Sequence, residues 1–177
     1  MVVTANYSLA LLPYTHLELM PSSTKQRKPM RKITALLVSA LAAFSVSANA
    51  AEPEFLNSGK VLDGQFPFSE AVKVGDTLYL SGQVGLVPAT QKLAEGGIKA
   101  ESHQTMQNIK TVLEANGYGM DNLVKCTAFL ADMEEWPVFN EVYKSYLTEG
   151  KYPARSAFGA NGLALDARVE VECIAAK

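Results

Sequence analysis

The run from Arg168 to Ala175, RVEVECIA, alternates without a break. Val169, Val171, Cys173 and Ala175 fall on one side of an extended chain, and Arg168, Glu170, Glu172 and Ile174 on the other. Successive side chains of a strand point to opposite faces, so this segment requires a sheet with one covered face. The other face must be solvated or buried against another chain.

The rest of the sequence supplies partners and cover for that strand. Residues 71–84, AVKVGDTLYLSGQV, read as two strands around a tight turn at Gly75-Asp76, with Leu78 and Leu80 alternating with Tyr79 and Ser81. Residues 85–97 are loop-like in their proline and glycine content, and they lack the Lys-Ser/Thr ending of a phosphate loop. A helix is predicted over Lys99–Ala115, where Met106, Ile109, Val112 and Leu113 share a face and Gly117 provides a stop. NLVKCTAFLADM, 122–133, reads as a strand with Val124, Cys126, Ala128 and Leu130 on its apolar side. A second helix starts near Pro137 and runs to about Leu147, burying Phe139, Val142, Tyr143 and Tyr146. Strands near Arg155–Phe158 and at Arg168–Ala175 close the chain. The order β-β-α-β-α-β-β gives an α+β fold, one mixed sheet with two helices packed on a single face.

The front of the chain reads differently. Met30-Arg31-Lys32 precedes an apolar run from Ile33 to Ser47, followed by Ala48-Asn49-Ala50. A short basic start, an apolar run of about 15 residues and an A-x-A site describe a secretory signal peptide over 30–50. Such a run falls short of the roughly 20 residues of a membrane-spanning helix, so no anchor is expected after cleavage. Residues 1–29 read as a gene-start artefact or a disordered leader, residues 51–65 as an N-terminal extension, and 66–177 as the folded domain. Cleavage after Ala50 leaves 127 residues, one domain in size, in a periplasmic or secreted setting. That portion holds 11 Lys and Arg against 17 Asp and Glu, a balance of −6 that argues against nucleic acid as a partner.

Several chemistries lack their residues. There is no H-E-x-x-H, no clustered metal-ligand set and no G-x-S-x-G elbow. His103, the one histidine after residue 50, has no second ligand at helical spacing and reads as solvated or locally bonded. Three polar residues on strands remain: Ser81, Arg155 and Glu170. An arginine can grip a carboxylate through a two-pronged ion pair, and a partly desolvated glutamate can move a proton to or from water. Ordinary surface and edge-strand charge is the simpler account of the same residues. Pattern alone leaves both readings open.

The segments LYLSGQVG, VLEANGY, VKCTAFLADMEEWPVFNEVYKSYL and YPARSAFG…ARVEVECIA together resemble the Rid (YjgF-type) family, collinearly over nearly all of residues 66–176. The resemblance implies a chorismate-mutase-like fold, a homotrimer with sites between subunits, and hydrolysis of reactive 2-imino or enamine acids to 2-oxo acids and ammonia without metal or cofactor. By position it implies that Arg155 grips the substrate carboxylate and Glu170 activates water. Ser81, Gly82 and Asn140 would line the pocket. Phe68 stands where the deaminase group usually has tyrosine, removing a phenolic hydroxyl, and Ala157 stands where it usually has cysteine, a position acting largely through its backbone carbonyl. A non-catalytic binder of small carboxylates and a stress-related holdase are the competing roles. The family's sheet also implies that Cys126 and Cys173 are neighbours. Core strands rarely offer disulfide geometry, so two buried free thiols are expected.

Overall fold

The computed structural model describes residues 50–64 and 66–177. The leader at 1–29 and all but the last residue of the signal segment at 30–50 lie outside the described residues. Among the described residues nine strands and two α-helices follow one another: β1 (Glu54–Leu56), β2 (Ala71–Val74), β3 (Thr77–Leu80), β4 (Gln83–Val84), β5 (Leu86–Val87), β6 (Lys92–Leu93), α1 (Gly97–Ala115), β7 (Leu123–Leu130), α2 (Trp136–Ser145), β8 (Ala154–Gly159) and β9 (Val169–Ala176). The main sheet runs β1-β2-β3-β9-β7-β8, with β4 also paired to β9. Only β7 and β8 are parallel, because α2 carries the chain back between them.

The sequence reading of the architecture holds, with additions. The segment expected as an extension supplies β1, which pairs with β2 as an edge strand. Within the proline- and glycine-rich stretch at 85–97, β5 and β6 form a two-stranded ribbon.

Both helices cover one face. Leu78, Met106, Ile109, Val112, Leu113, Leu130, Phe139, Val169 and Val171 are each essentially inaccessible and form one core. Each such side chain contributes about 1.5–3 kcal/mol by leaving water, which is why the apolar faces of α1, α2, β7 and β9 must meet. The helix α1 ends as its sequence demands. Gly117 takes φ 78, and Tyr118 N and Gly117 N donate to the carbonyls of Leu113 and Glu114, closing a Schellman turn.

Two expectations from the sequence are corrected. Val124 does not join the apolar side of β7: a register shift between Leu123 and Lys125 turns it outward, 47 % exposed, and buries Leu123 instead. One extra residue in a strand reverses the facing of everything before it. Nor are Cys126 and Cys173 free thiols. They lie directly opposite each other across β7 and β9, with Cα atoms 4.1 Å apart, and form a disulfide. Directly opposed residues of an antiparallel pair approach to about 4.5 Å in the close type of pairing, which brings two cysteines on the same buried face within bonding reach.

Candidate functional site

Arg155 lies on β8, the terminal strand of the sheet, yet its side chain does not guard the edge. It pairs in register with Cys126, whose side chain is buried on the helix-covered face, and so it projects toward α2. The helix presents Trp136, Phe139, Asn140 and Tyr143 at i, i+3, i+4 and i+7, one continuous stripe. The guanidinium carbon sits 4.6 Å from the Trp136 ring centre and 4.5 Å from that of Tyr143, with Phe139 at 5.7 Å. Arg155 Nη2 donates to Asn140 Oδ1 at 2.7 Å.

Among the described residues no carboxylate lies within ion-pair distance of Arg155. One of its five N–H groups is spent on Asn140, which leaves a fork free for an anion. Burial pulls the guanidinium below its ordinary pKa, while Tyr143 works in the opposite direction. Burial likewise pushes the Tyr143 hydroxyl up, and Arg155 offsets part of that. The group opens onto a cleft of about 500 Å³ that also reaches Lys144, Glu149 and Tyr152.

Glu170 belongs to a different place. Its neighbours Val169 and Val171 are core residues, so alternation turns Glu170 to the face the helices do not cover, where it pairs in register with Phe129 and Val84. Burial, and secondarily Glu172, raises its carboxyl above the ordinary glutamate value. Gly82 makes room for it: a Cβ at that position would overlap Glu170 Oε1, so only glycine leaves the carboxylate where it is. Ser81 stands beside it, its Oγ donating to Ser69 O at 2.6 Å and its backbone N to Glu70 O at 3.1 Å. Phe68 completes the group, and all four line one cleft of about 470 Å³ whose remaining walls are mainly apolar.

The candidate residues therefore divide in two. Phe68, Ser81, Gly82 and Glu170 share one cleft, Asn140 and Arg155 the other. Ala157 pairs with Ala128 and packs against the core beside the arginine. Two strand spacings and three residues along the strands put the Cα atoms of Arg155 and Glu170 on the order of 14 Å apart, with side chains on opposite faces. One small molecule cannot touch both within a single chain.

His103 is locally bonded, its Nδ1 lying 3.3 Å from the Tyr146 hydroxyl, which donates to the His103 carbonyl. Sequence reasoning treated Tyr143 as core and gave Trp136 no role. Their spacing with Asn140 along α2 was the available signal.

A sequence profile of the family described as Endoribonuclease L-PSP matches residues 59–177. The chain belongs to that family, also called Rid. A mouse protein named 2-iminobutanoate/2-iminopropanoate deaminase is 44 % identical over 109 residues, 62 % of this chain and 80 % of that protein. An Arabidopsis thaliana protein named Reactive Intermediate Deaminase A, chloroplastic, is 34 % identical over 134 residues, 76 % of this chain and 71 % of that one. Among solved structures, RidA from an Antarctic Psychrobacter superposes with a TM-score of 0.66 at 38 % identity, covering 70 % of this chain and 99 % of its own. The Rid chain described here thus has the family's mixed sheet with both helices on one side of it.

Proposed function

We propose that this protein hydrolyses 2-imino and enamine acids to 2-oxo acids and ammonia, in sites completed between the subunits of a homotrimer. The observation that carries the reading is Arg155, half-buried against the aromatic stripe of α2, hydrogen-bonded to Asn140 and lacking an internal carboxylate. Relatives named as imine deaminases supply the reaction class.

In this mechanism the substrate carboxylate takes the free fork of Arg155. Glu170 of the adjoining subunit accepts a proton as water adds to C2, and it returns that proton to the nitrogen. The Glu170 carboxylate then carries the hydroxyl proton of this carbinolamine to its nitrogen as the C–N bond breaks, so that nitrogen leaves as ammonia and C2 keeps the oxygen as the 2-oxo acid. The upward shift of the Glu170 carboxyl, caused by burial and secondarily by Glu172, suits a group that both takes and gives a proton. No step calls on a metal or cofactor.

The separation of the two clefts supports assembly. So does the sheet face opposite the helices, where Tyr79 and Phe158 are exposed and Phe129 stacks on Phe158. Export is supported by the signal-like segment at 30–50 and by the disulfide, since such bonds persist in oxidising compartments. Ala51 is then the mature N-terminus, which intact mass of secreted material checks.

The test generates an imine in situ with an amino-acid oxidase and follows ammonia and 2-oxo acid release. Arg155→Ala and Glu170→Gln chains are each expected to be inactive. Refolded together in equal amounts they regain about a quarter of wild-type activity, because in random three-fold rings one site in four joins an intact arginine to an intact glutamate. No recovery in mixed oligomers overturns the shared site. Carboxylate binding without any imine turnover leaves a small-carboxylate binder instead.

A further inference from the structure

The cleft around Glu170 is closed on one side by an unusual turn at Ala164–Asp166. Leu165 there has φ 59 and ψ 21, and Asp166 also has φ 59, a left-handed backbone that bulky side chains avoid. Leu165 is nevertheless 65 % exposed, so no burial of its own side chain accounts for the strain.

The segment following the turn is firmly anchored. Ala167 is buried, Arg168 N donates to Glu101 Oε2 at 2.8 Å, and the Arg168 guanidinium grips the Glu135 carboxylate. A left-handed backbone at an apolar side chain that lines a cleft raises the question of what that side chain meets.

What it meets follows from the walls. Leu165 faces a cleft shared with Leu62, Phe66, Phe68, Val84 and Leu86, with Ser81 and Glu170 as its polar residues. Phe66 and Phe68 pack together, ring centres 5.3 Å apart. An imino acid radiates three groups from C2: a carboxylate, the nitrogen and a side chain. The carboxylate belongs to arginine, which this cleft lacks, and the nitrogen and attacking water belong beside Glu170. The side chain is the group left to meet the apolar walls.

Resting on the deaminase reading above, we infer that Leu165 is a specificity-determining residue and that the preferred substrates carry branched or longer apolar side chains, such as the imine of leucine. Wild-type protein is expected to show a higher kcat/KM for the leucine-derived imine than for the alanine-derived one. Leu165→Ala lowers that ratio about tenfold, chiefly through KM, the scale of one or two buried methylenes. Leu165→Gly, which suits the left-handed backbone, loses the preference equally, and Leu165→Met largely keeps it. An unchanged ratio in Leu165→Ala overturns the inference. So does retention of the preference by Leu165→Gly, or a change in oligomeric mass, which would assign the side chain to a subunit contact.

Melting shifts with 4-methyl-2-oxopentanoate and 2-oxopropanoate separate this from the deaminase reading, since they need no turnover. If wild type hydrolyses neither imine, the deaminase reading falls. A larger shift with the branched acid, lost in Leu165→Ala, still supports the role of Leu165, and equal shifts overturn it.

Discussion

The cleft of Arg155 and the cleft of Glu170 are built on opposite principles. The first lies on the helix-covered side, where regular elements hold the guanidinium: a strand supplies the arginine, and one helix supplies the rings and the amide, with the connection at Glu149 and Tyr152 at the rim. The second lies on the uncovered side and is walled largely by connecting segments, with a strained turn and a glycine that only fits because it has no side chain. A cation held by aromatics and a carboxylate held by apolar walls are both partly desolvated. The difference teaches that strands position both charged groups, while the cation is surrounded by one helix and the carboxylate largely by connecting segments.

The largest effect is expected at Arg155. Loss of a hydrogen-bonded charge partner costs about 2–5 kcal/mol, roughly 30- to several-thousand-fold in affinity. Arg155→Ala should therefore abolish both turnover and carboxylate-induced melting shifts, with the oligomer intact by light scattering. Arg155→Lys keeps the charge without the planar fork and should not restore them. Carboxylate shifts of wild-type size in Arg155→Ala would dissolve the distinction between the clefts.

Glu170→Gln comes next, with turnover down by about 10²–10⁴ and carboxylate binding spared, because an amide cannot accept water's proton. Since the folded-state pKa of Glu170 is raised, wild-type activity should climb with pH through that value, and the variant should lack this limb. Stability moves the other way. A raised carboxyl binds its proton more tightly when folded, so its contribution falls as pH rises from the unfolded toward the folded pKa. Glu170→Gln should accordingly be no more stable than wild type in acid and more stable at neutral pH, as read by urea melts. Equal pH profiles would remove Glu170 from the chemistry.

The disulfide tests the stiffness of the arginine side. Cys126→Ala with Cys173→Ala opens a link spanning 47 residues and should cost about 2–4 kcal/mol in urea unfolding. Carboxylate shifts should remain, since the aromatic stripe, not the bridge, holds Arg155. The smallest effect is expected at Trp136. Removing one cation–π partner is worth about 0.5–2 kcal/mol, so Trp136→Leu should weaken carboxylate binding by roughly 2- to 30-fold by calorimetry while preserving the pH profile.

Periodicity by itself determined the two helices and the longer strands, because it depends only on neighbours along the chain, but not the short strands β1, β5 and β6. RVEVECIA read as a half-covered strand, and of the stripe Phe139, Val142, Tyr143 and Tyr146 read as the inner side of a helix the first three are buried, while Tyr146 lies past its end and is half-buried. For the motif around YPARSAFG, pattern alone left edge-strand charge and anion binding open, and only the family resemblance pointed to a carboxylate-gripping arginine. Register and facing belonged to the tertiary structure. An extra residue at Val124 reversed one end of β7, and direct opposition of β7 and β9 joined two cysteines expected to stay free. Alternation put Glu170 on the uncovered face, but only pairing through Cys126 put Arg155 on the other. The left-handed backbone at Leu165 left no mark in sequence, and the segment after it is held through Arg168 by Glu101 and Glu135, 67 and 33 residues away along the chain. Local pattern sets what a segment becomes; which residues finally meet depends on contacts between segments distant in sequence.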